Sequence, residues 1–195
     1  MINISRRTIG EMKEVAYRPQ EVSLPDEELA YIMIRNPGRN LTIFPFYRLG
    51  GGPARNASPA RKDSVSGGRS EAGGEYPKTY GHFHVPDCAE TYQVLKGTAG
   101  FLLQQVEGEQ ILQIKFKVVE EGQTFTVPSG WGHVAVNLGS DYLITLDDYD
   151  PARFENDYSL VKKMRGFGYY LVEKEGTWQA VPNPSYTQLP ALTAE

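Results

Sequence analysis

From Thr91 to Leu146 no stretch of the chain carries a helical period. Short runs rich in β-branched, aromatic and other apolar residues follow one another instead: Thr91–Leu95, Thr98–Gln105, Ile111–Val119, Thr124–Val127, His133–Asn137 and Tyr142–Leu146. Glycine-containing or charged turns (KG, EGE, EEG, PSGWG, LGSD) separate them. Parallel neighbours need crossovers of about a dozen residues or more, which these links cannot supply. The expectation is an all-β chain with antiparallel sheets arranged as a sandwich or barrel.

The flanks extend this plan. Leu29–Arg35 and Asn40–Tyr47, divided by the turn residues NPGR, read as two further strands. Residues 7–18 read as a short helix or an opening segment, and Tyr158–Arg165 as a short helix. The stretch GYYLVEKEGTWQAV reads as a closing hairpin that turns at Glu175–Gly176. The 20 glycines and 13 prolines suit many short strands joined by turns. A length of 195 residues with 40% hydrophobic residues suits one domain, 1–195, with a substantial core.

Residues 48–75 break the pattern, being dominated by Gly, Ser, Ala, Pro and Arg without a period of 2 or 3.6. This segment reads as an extended solvated loop, with a phosphate-attracting lid as the alternative, because Arg48 through Lys78 carries a net charge of +3. The whole chain is at −4, so no global basic field gathers nucleic acid. The longest apolar runs are too short for a membrane span. The first residues lack the apolar core of a secretory signal, and Cys88 is the one cysteine. A cytoplasmic location is the expectation.

All three histidines fall near one glutamate: His82 and His84, then Glu90, then His133. Alternate residues of a strand face one side, so His82 and His84 can share an ion. Three imidazoles and a carboxylate suit Zn, Fe, Mn, Ni or Cu without selecting among them. Cys88, between His84 and Glu90, reads as a rim residue rather than a further ligand.

The surrounding residues sharpen this. Gly122-Gln-Thr-Phe-Thr-Val-Pro128-Ser-Gly130-Trp-Gly-His133-Val-Ala-Val-Asn137 resembles the second cupin motif, G-x5-P-x-G-x2-H-x3-N, at every fixed position. His82 through Gly97, read as HxH-x5-Glu-x6-Gly, resembles the first, with a slightly longer gap before Glu90. The resemblance implies a jelly-roll-like antiparallel β-barrel with one divalent metal held by His82, His84, Glu90 and His133.

Cupins share a fold but not a reaction. The flanks Lys78-Thr79-Tyr80-Gly81 and Glu90-Thr91-Tyr92-Gln93-Val94-Leu95-Lys96-Gly97 resemble the cupin-type glucose-6-phosphate isomerases, best known in archaea. Val136 through Tyr149, Asp157-Tyr158, the Gly176 hairpin and Asn183-Pro184 are similar too, as are Glu11-Met12-Lys13 and Thr42-Ile43. The resemblance implies a metal-dependent isomerase that interconverts glucose 6-phosphate and fructose 6-phosphate through an enediol. Fe²⁺ is its foremost metal, with Mn²⁺, Ni²⁺ or Zn²⁺ as alternatives, and a homodimer is implied. Moving a proton between C1 and C2 needs a base, and Glu90 is the one obvious carboxylate in the motif; Glu90 and Tyr92 are the expected catalytic residues. By the same resemblance Thr42, Thr79 and the Gly81 amide contact phosphate, while Tyr92, Tyr149 and Tyr158 line the pocket.

One position departs from the family: the histidine it carries before the Asp-Tyr pair is Asn156 here, which cannot titrate near neutral pH. The segment from Tyr149 to Tyr158 is also one residue longer. Other readings therefore stay open. They are an isomerase or epimerase of another sugar phosphate such as mannose 6-phosphate, a dioxygenase, and a metal- or sugar-binding cupin without turnover.

Overall fold

The computed structural model of the protein describes residues 3–36, 39–44 and 74–195. In chain order its first strands are β1 (Asn3–Thr8), β2 (Leu29–Asn36), β3 (Arg39–Phe44), β4 (Phe83–Val85) and β5 (Glu90–Lys96). Next come β6 (Thr98–Glu107), β7 (Gln110–Glu120), β8 (Thr124–Val127), β9 (Gly132–Asn137) and β10 (Leu143–Asp147). The last are β11 (Glu155–Asp157), β12 (Tyr169–Lys174), β13 (Thr177–Pro182) and β14 (Leu192–Ala194). Two short α-helices, α1 (Ile9–Lys13) and α2 (Ser159–Lys163), and one 3₁₀ turn at Pro19–Glu21 complete the set.

Two larger sheets carry the fold. One has six strands in the order β1-β2-β3-β10-β5-β8, and the other has four in the order β14-β7-β6-β9. Burial alternates along β10 and through the first half of β5, the mark of strands with one face turned inward. Val94 and Leu143 from the first sheet join Phe101, Phe116 and Val134 from the second in one apolar core. Ring contacts bridge the layers, with the centroids of Tyr92 and Phe101 4.9 Å apart. This is the all-β architecture with short helical segments expected from the sequence.

The expected strands are found with small shifts of boundary. The strand expected at Asn40–Tyr47 is β3, ending at Phe44, with its last residues outside the described ones. The closing hairpin is β12–β13, and its turn residues Glu175 and Gly176 both have positive φ, 55° and 82°. Trp178 packs on Phe116 at 4.6 Å between centroids and docks the hairpin on the four-stranded sheet. Tyr158–Arg165 contains α2.

Three expectations need correction. Residues 7–18 are not one helix: Arg7 and Thr8 finish β1, and helix spans only Ile9–Lys13. Thr8 stops the strand and starts the helix through a capping box with Glu11. The sheets are not wholly antiparallel either, since β14 runs parallel to β7. No hairpin joins those two strands; the chain between them supplies the long crossover that a parallel pair needs.

The third correction concerns the basic loop. Most of residues 48–75 lie outside the described residues. Glu75, however, is buried and ion-paired with the equally buried Lys78. Lys78 also donates to Val15 O at 2.7 Å, and the second Glu75 oxygen accepts from Tyr17 N at 2.8 Å. A basic residue counted with the solvated loop is thus part of a buried anchor. It ties the strand approach to His82 onto the end of the N-terminal segment.

Candidate metal centre and its pocket

Backbone constraints aim the histidines. Gly81 has φ of +87°, and a Cβ there would lie 2.6 Å from Val134 Cγ2, so only glycine fits. The next residue, His82, joins His133 by reciprocal backbone bonds of 3.3 and 3.0 Å. His84 follows on β4, which pairs with β11 so that Asn156 stands opposite His84. Glu90 opens β5 and His133 lies near the start of β9.

The four side chains converge. Nε2 of His84 and of His133 lie 2.9 and 3.0 Å from Glu90 Oε2, and Nε2 of His82 lies 4.0 Å from it. The ligand atoms all fall within 4.8 Å of one another. Bonds of about 2.1 Å to one ion allow ligand atoms up to about 4.2 Å apart, so closing the set requires a contraction of about half an ångström. The donor set and its spacing fit a divalent transition metal. Cys88 is not in this group.

The electrostatics agree with that role. Burial pushes Glu90 up, but the charges and hydrogen bonds of His133 and His84, with the charge of His82, outweigh it. They hold Glu90 well below the usual carboxylate range. Burial, then the proximity of His133, keeps His82 well below the ordinary imidazole value despite Glu90. Nδ1 of His84 and Nδ1 of His133 are buried without a protein partner. Ligating histidines usually donate that N–H to fix the ring. For His84, packing supplies part of that restraint, because the Tyr149 ring stacks on it at 5.0 Å and 24°.

Each substrate residue expected from the sequence lines one pocket together with His82 and Glu90: Thr42, Thr79, Gly81, Tyr92, Tyr149 and Tyr158. Thr79 Oγ1 accepts from Ala135 N at 3.0 Å, which leaves its own hydroxyl proton free to be donated. The Tyr149 hydroxyl already donates to Phe154 O at 2.5 Å, so Tyr149 offers its ring. Tyr158 Oη accepts from Asn156 Nδ2 at 3.2 Å, and Asn156 itself lines the pocket. Burial pushes Tyr92 well above its ordinary range, with the Glu90 charge adding to the shift. Its hydroxyl is therefore a protonated donor, 2.9 Å from His133 Nε2.

The sequence reading missed five residues of this pocket: Tyr31, Met33, Arg35, Tyr80 and Asp147. Tyr31, Met33 and Arg35 alternate along β2, and Asp147 follows Leu143 and Thr145 on the inner face of β10. Strand register then builds a polar row across four strands, Arg35 opposite Asn40, Asn40 opposite Asp147, and Asp147 opposite Tyr92. Period-2 parity carried from the buried Tyr31 and Leu143 would have found Arg35 and Asp147 in the sequence.

Comparison with known proteins gives this geometry its family. The glucose-6-phosphate isomerase (GPI) family model matches residues 69–188, more than half of the chain. The glucose-6-phosphate isomerase of Thermococcus kodakarensis is 37% identical over 119 residues, covering 60% of this chain and 60% of that one. That of Pyrococcus furiosus is 38% identical over 117 residues, covering 60% and 59%. A bacterial relative, from Sinorhizobium medicae, is 34% identical over 125 residues, covering 63% and 56%. The matched region spans about 60% of the length of these archaeal relatives. It holds all four converging ligands and most of the pocket, and the chain belongs to the glucose-6-phosphate isomerase family.

Proposed function

We propose that the protein is a metal-dependent aldose–ketose isomerase that interconverts glucose 6-phosphate and fructose 6-phosphate. The observation that carries this reading is the convergence of three imidazole nitrogens and one carboxylate at the wall of a polar pocket, in a chain of this family. A divalent cation held by His82, His84, Glu90 and His133 would polarise the substrate carbonyl and stabilise the oxyanion of the enediolate. Fe²⁺ is the metal proposed, with Mn²⁺, Ni²⁺ and Zn²⁺ suited to the same donors.

The chain's own groups do the rest. Thr42, Thr79 and the Gly81 amide can donate to phosphate oxygens at one end of the pocket. Tyr149 and Tyr158 wall it with their rings, which exclude water from the reacting carbons. Glu90 takes the proton from one carbon and returns it to the next, which requires its carboxylate to be free of full metal ligation during the transfer. Tyr92, which burial keeps protonated, donates a hydrogen bond to the oxygen that becomes negative without giving up its proton. Among the described residues no helix is long and apolar enough to cross a membrane. A cytoplasmic homodimer acting on a soluble sugar phosphate completes the proposal.

One observation favours a second reading, in which another sugar phosphate is the substrate. Asn156 stands opposite His84 and lines the pocket where the family carries a histidine, while Arg35 and Asp147 add ionisable groups to the same wall. Rates with glucose 6-phosphate, fructose 6-phosphate and mannose 6-phosphate, measured side by side on metal-loaded protein, test both. Turnover between the first two supports the proposal. Conversion of mannose 6-phosphate alone supports the second reading, and oxygen uptake without isomerisation contradicts both.

A further inference from the structure

The pocket holds a carboxyl that the reading above does not use. Asp147 is only 6% exposed, on the last inward position of β10, and lines the same cavity as Glu90 and Tyr92. Its Oδ1 accepts two hydrogen bonds, from Asn40 Nδ2 at 2.6 Å and from Tyr149 N at 3.2 Å. Both bonds fall on one oxygen, and no described residue bonds Oδ2. Behind it, outside the pocket lining, two further buried polar atoms lack partners among the described residues: Asn40 Oδ1 and Thr145 Oγ1, the latter two residues back on β10. Buried polar atoms without partners cost stability unless a ligand or water meets them. Of this group only Asp147 lines the pocket, so it is the member a hydroxylated substrate can meet.

The reaction needs a second proton carrier. Converting an aldose to a ketose moves one proton from C2 to C1, and another from O2 to O1. Glu90 can serve the carbons, but it then cannot serve the oxygens in the same step. Asn156 does not titrate, so it cannot serve them either.

We propose that Asp147 is a second catalytic carboxyl, which carries the hydroxyl proton between O2 and O1 while Glu90 carries the carbon-bound proton. This rests on the isomerase reading given above. The sequence of bonds balances. The C2–H bond breaks, its proton passes to the Glu90 carboxylate, and its electron pair forms the C1–C2 double bond as the carbonyl pair moves onto O1. Asp147 Oδ2–H gives its proton to O1, and the neutral enediol faces an Asp147 carboxylate. The O2–H bond then breaks toward Asp147, its pair forms the C2 carbonyl, and C1 takes back the proton held by Glu90. Both carboxyls end as they began, and no oxidant or reductant is required.

Charge around the group suits a carboxyl that starts protonated and can give its proton up. In the metal-free protein burial, then the charge of Glu90 on β5, pushes Asp147 up, whereas Asn40, the Tyr149 amide and Arg35 on β2 draw it back; the balance is about 7. A carrier titrating close to the working pH gives and takes a proton with least loss. Tyr92, opposite Asp147 in register, stays protonated and adds no charge.

Asp147→Asn tests this directly, because the amide keeps an oxygen for Asn40 and the Tyr149 amide while losing the exchangeable acid. Wild type and variant are incubated with glucose 6-phosphate in D₂O, and both ketose formation and deuterium at C2 are followed. The expected result is about 100-fold slower ketose formation, within the range for general acid–base groups. Deuterium should still enter C2 at about the wild-type rate, since Glu90 still opens the C–H bond. Metal content should not change. Asp147→Ser, smaller and uncharged, repeats the measurement should the amide fail to fold. Full ketose formation by either folded variant, or loss of exchange and ketose formation together, would overturn the assignment and leave the isomerase reading standing. A metal-loaded wild type that converts no sugar phosphate would overturn both.

Discussion

The Tyr92 hydroxyl lies 2.9 Å from Nε2 of His133, the nitrogen that also faces Glu90 Oε2 at 3.0 Å. In the tautomer that carries its proton on Nδ1, the Nε2 lone pair can take either the phenol proton or a cation. A metal that binds there must displace the phenol proton, and the freed hydroxyl then sits beside the reacting centre. Tyr92→Phe removes the competitor. A net hydrogen bond is worth about 0.5–1.5 kcal/mol, so metal affinity should hold or rise by up to roughly tenfold while turnover falls. Competition titration with a chromophoric chelator reads the affinity. Much weaker binding would mean that Tyr92 supports the metal instead of competing with it.

Gly81 combines positive φ with close approach to Val134 and Phe167. An alanine Cβ at 2.6 Å from Val134 Cγ2 forces a backbone shift immediately before His82. Gly81→Ala should lower metal affinity out of proportion to its effect on melting, with a stability loss of about 1–3 kcal/mol. Unchanged metal affinity would show that the His82 backbone tolerates the shift.

The candidate metal site and the β architecture were legible from the sequence because their signals are local. The period of 2 in Thr91–Leu146, the HxH pair and the turn sequence through Gly130 each act within a few residues. Asp147 and Arg35 were not legible, although each obeys the same alternation, because their roles depend on register between strands far apart in the chain. Arg35 meets Asn40, Asp147 and Tyr92 only once four strands align. Lys78 was misplaced for a similar reason: its partners are Glu75, Val15 and the Tyr170 ring, and composition alone put it with a basic loop. The same locality explains why residues 7–18 read only as a short helix or an opening segment: Thr8 ends a strand whose partner is β2, and the helix follows it.

The Glu75–Lys78 pair has nearly no access to water, at 1% and 7% side-chain exposure. Removing one member leaves the other charged and buried without compensation. Lys78→Met should cost about 3–5 kcal/mol of stability, and Lys78→Met combined with Glu75→Gln should recover part of it. Chemical denaturation of the metal-free protein measures both. Additive losses in the double variant would contradict a coupled pair.

Asp147 also predicts how stability varies with pH. Its value rises from 3.8 to about 7 on folding, so the folded chain keeps a proton that the unfolded chain releases between those limits. That contribution is complete at about pH 4 and is lost as pH rises through 7. Asp147→Asn abolishes it. The melting temperature of the metal-free variant should therefore gain on that of wild type as pH increases from about 4 to 8. His82, held below 6.5, works in the opposite direction in both proteins and cancels from the difference. A gap that stays constant with pH would contradict the buried, protonated carboxyl.

The most direct test of the account is isomerisation of glucose 6-phosphate to fructose 6-phosphate before chelation, after chelation, and after refilling with Fe²⁺, Mn²⁺, Ni²⁺ or Zn²⁺. The account predicts activity that vanishes on chelation, returns with at least one of these ions, and cannot be restored in His84→Ala or His133→Ala. Full activity in protein shown to be free of metal would contradict it.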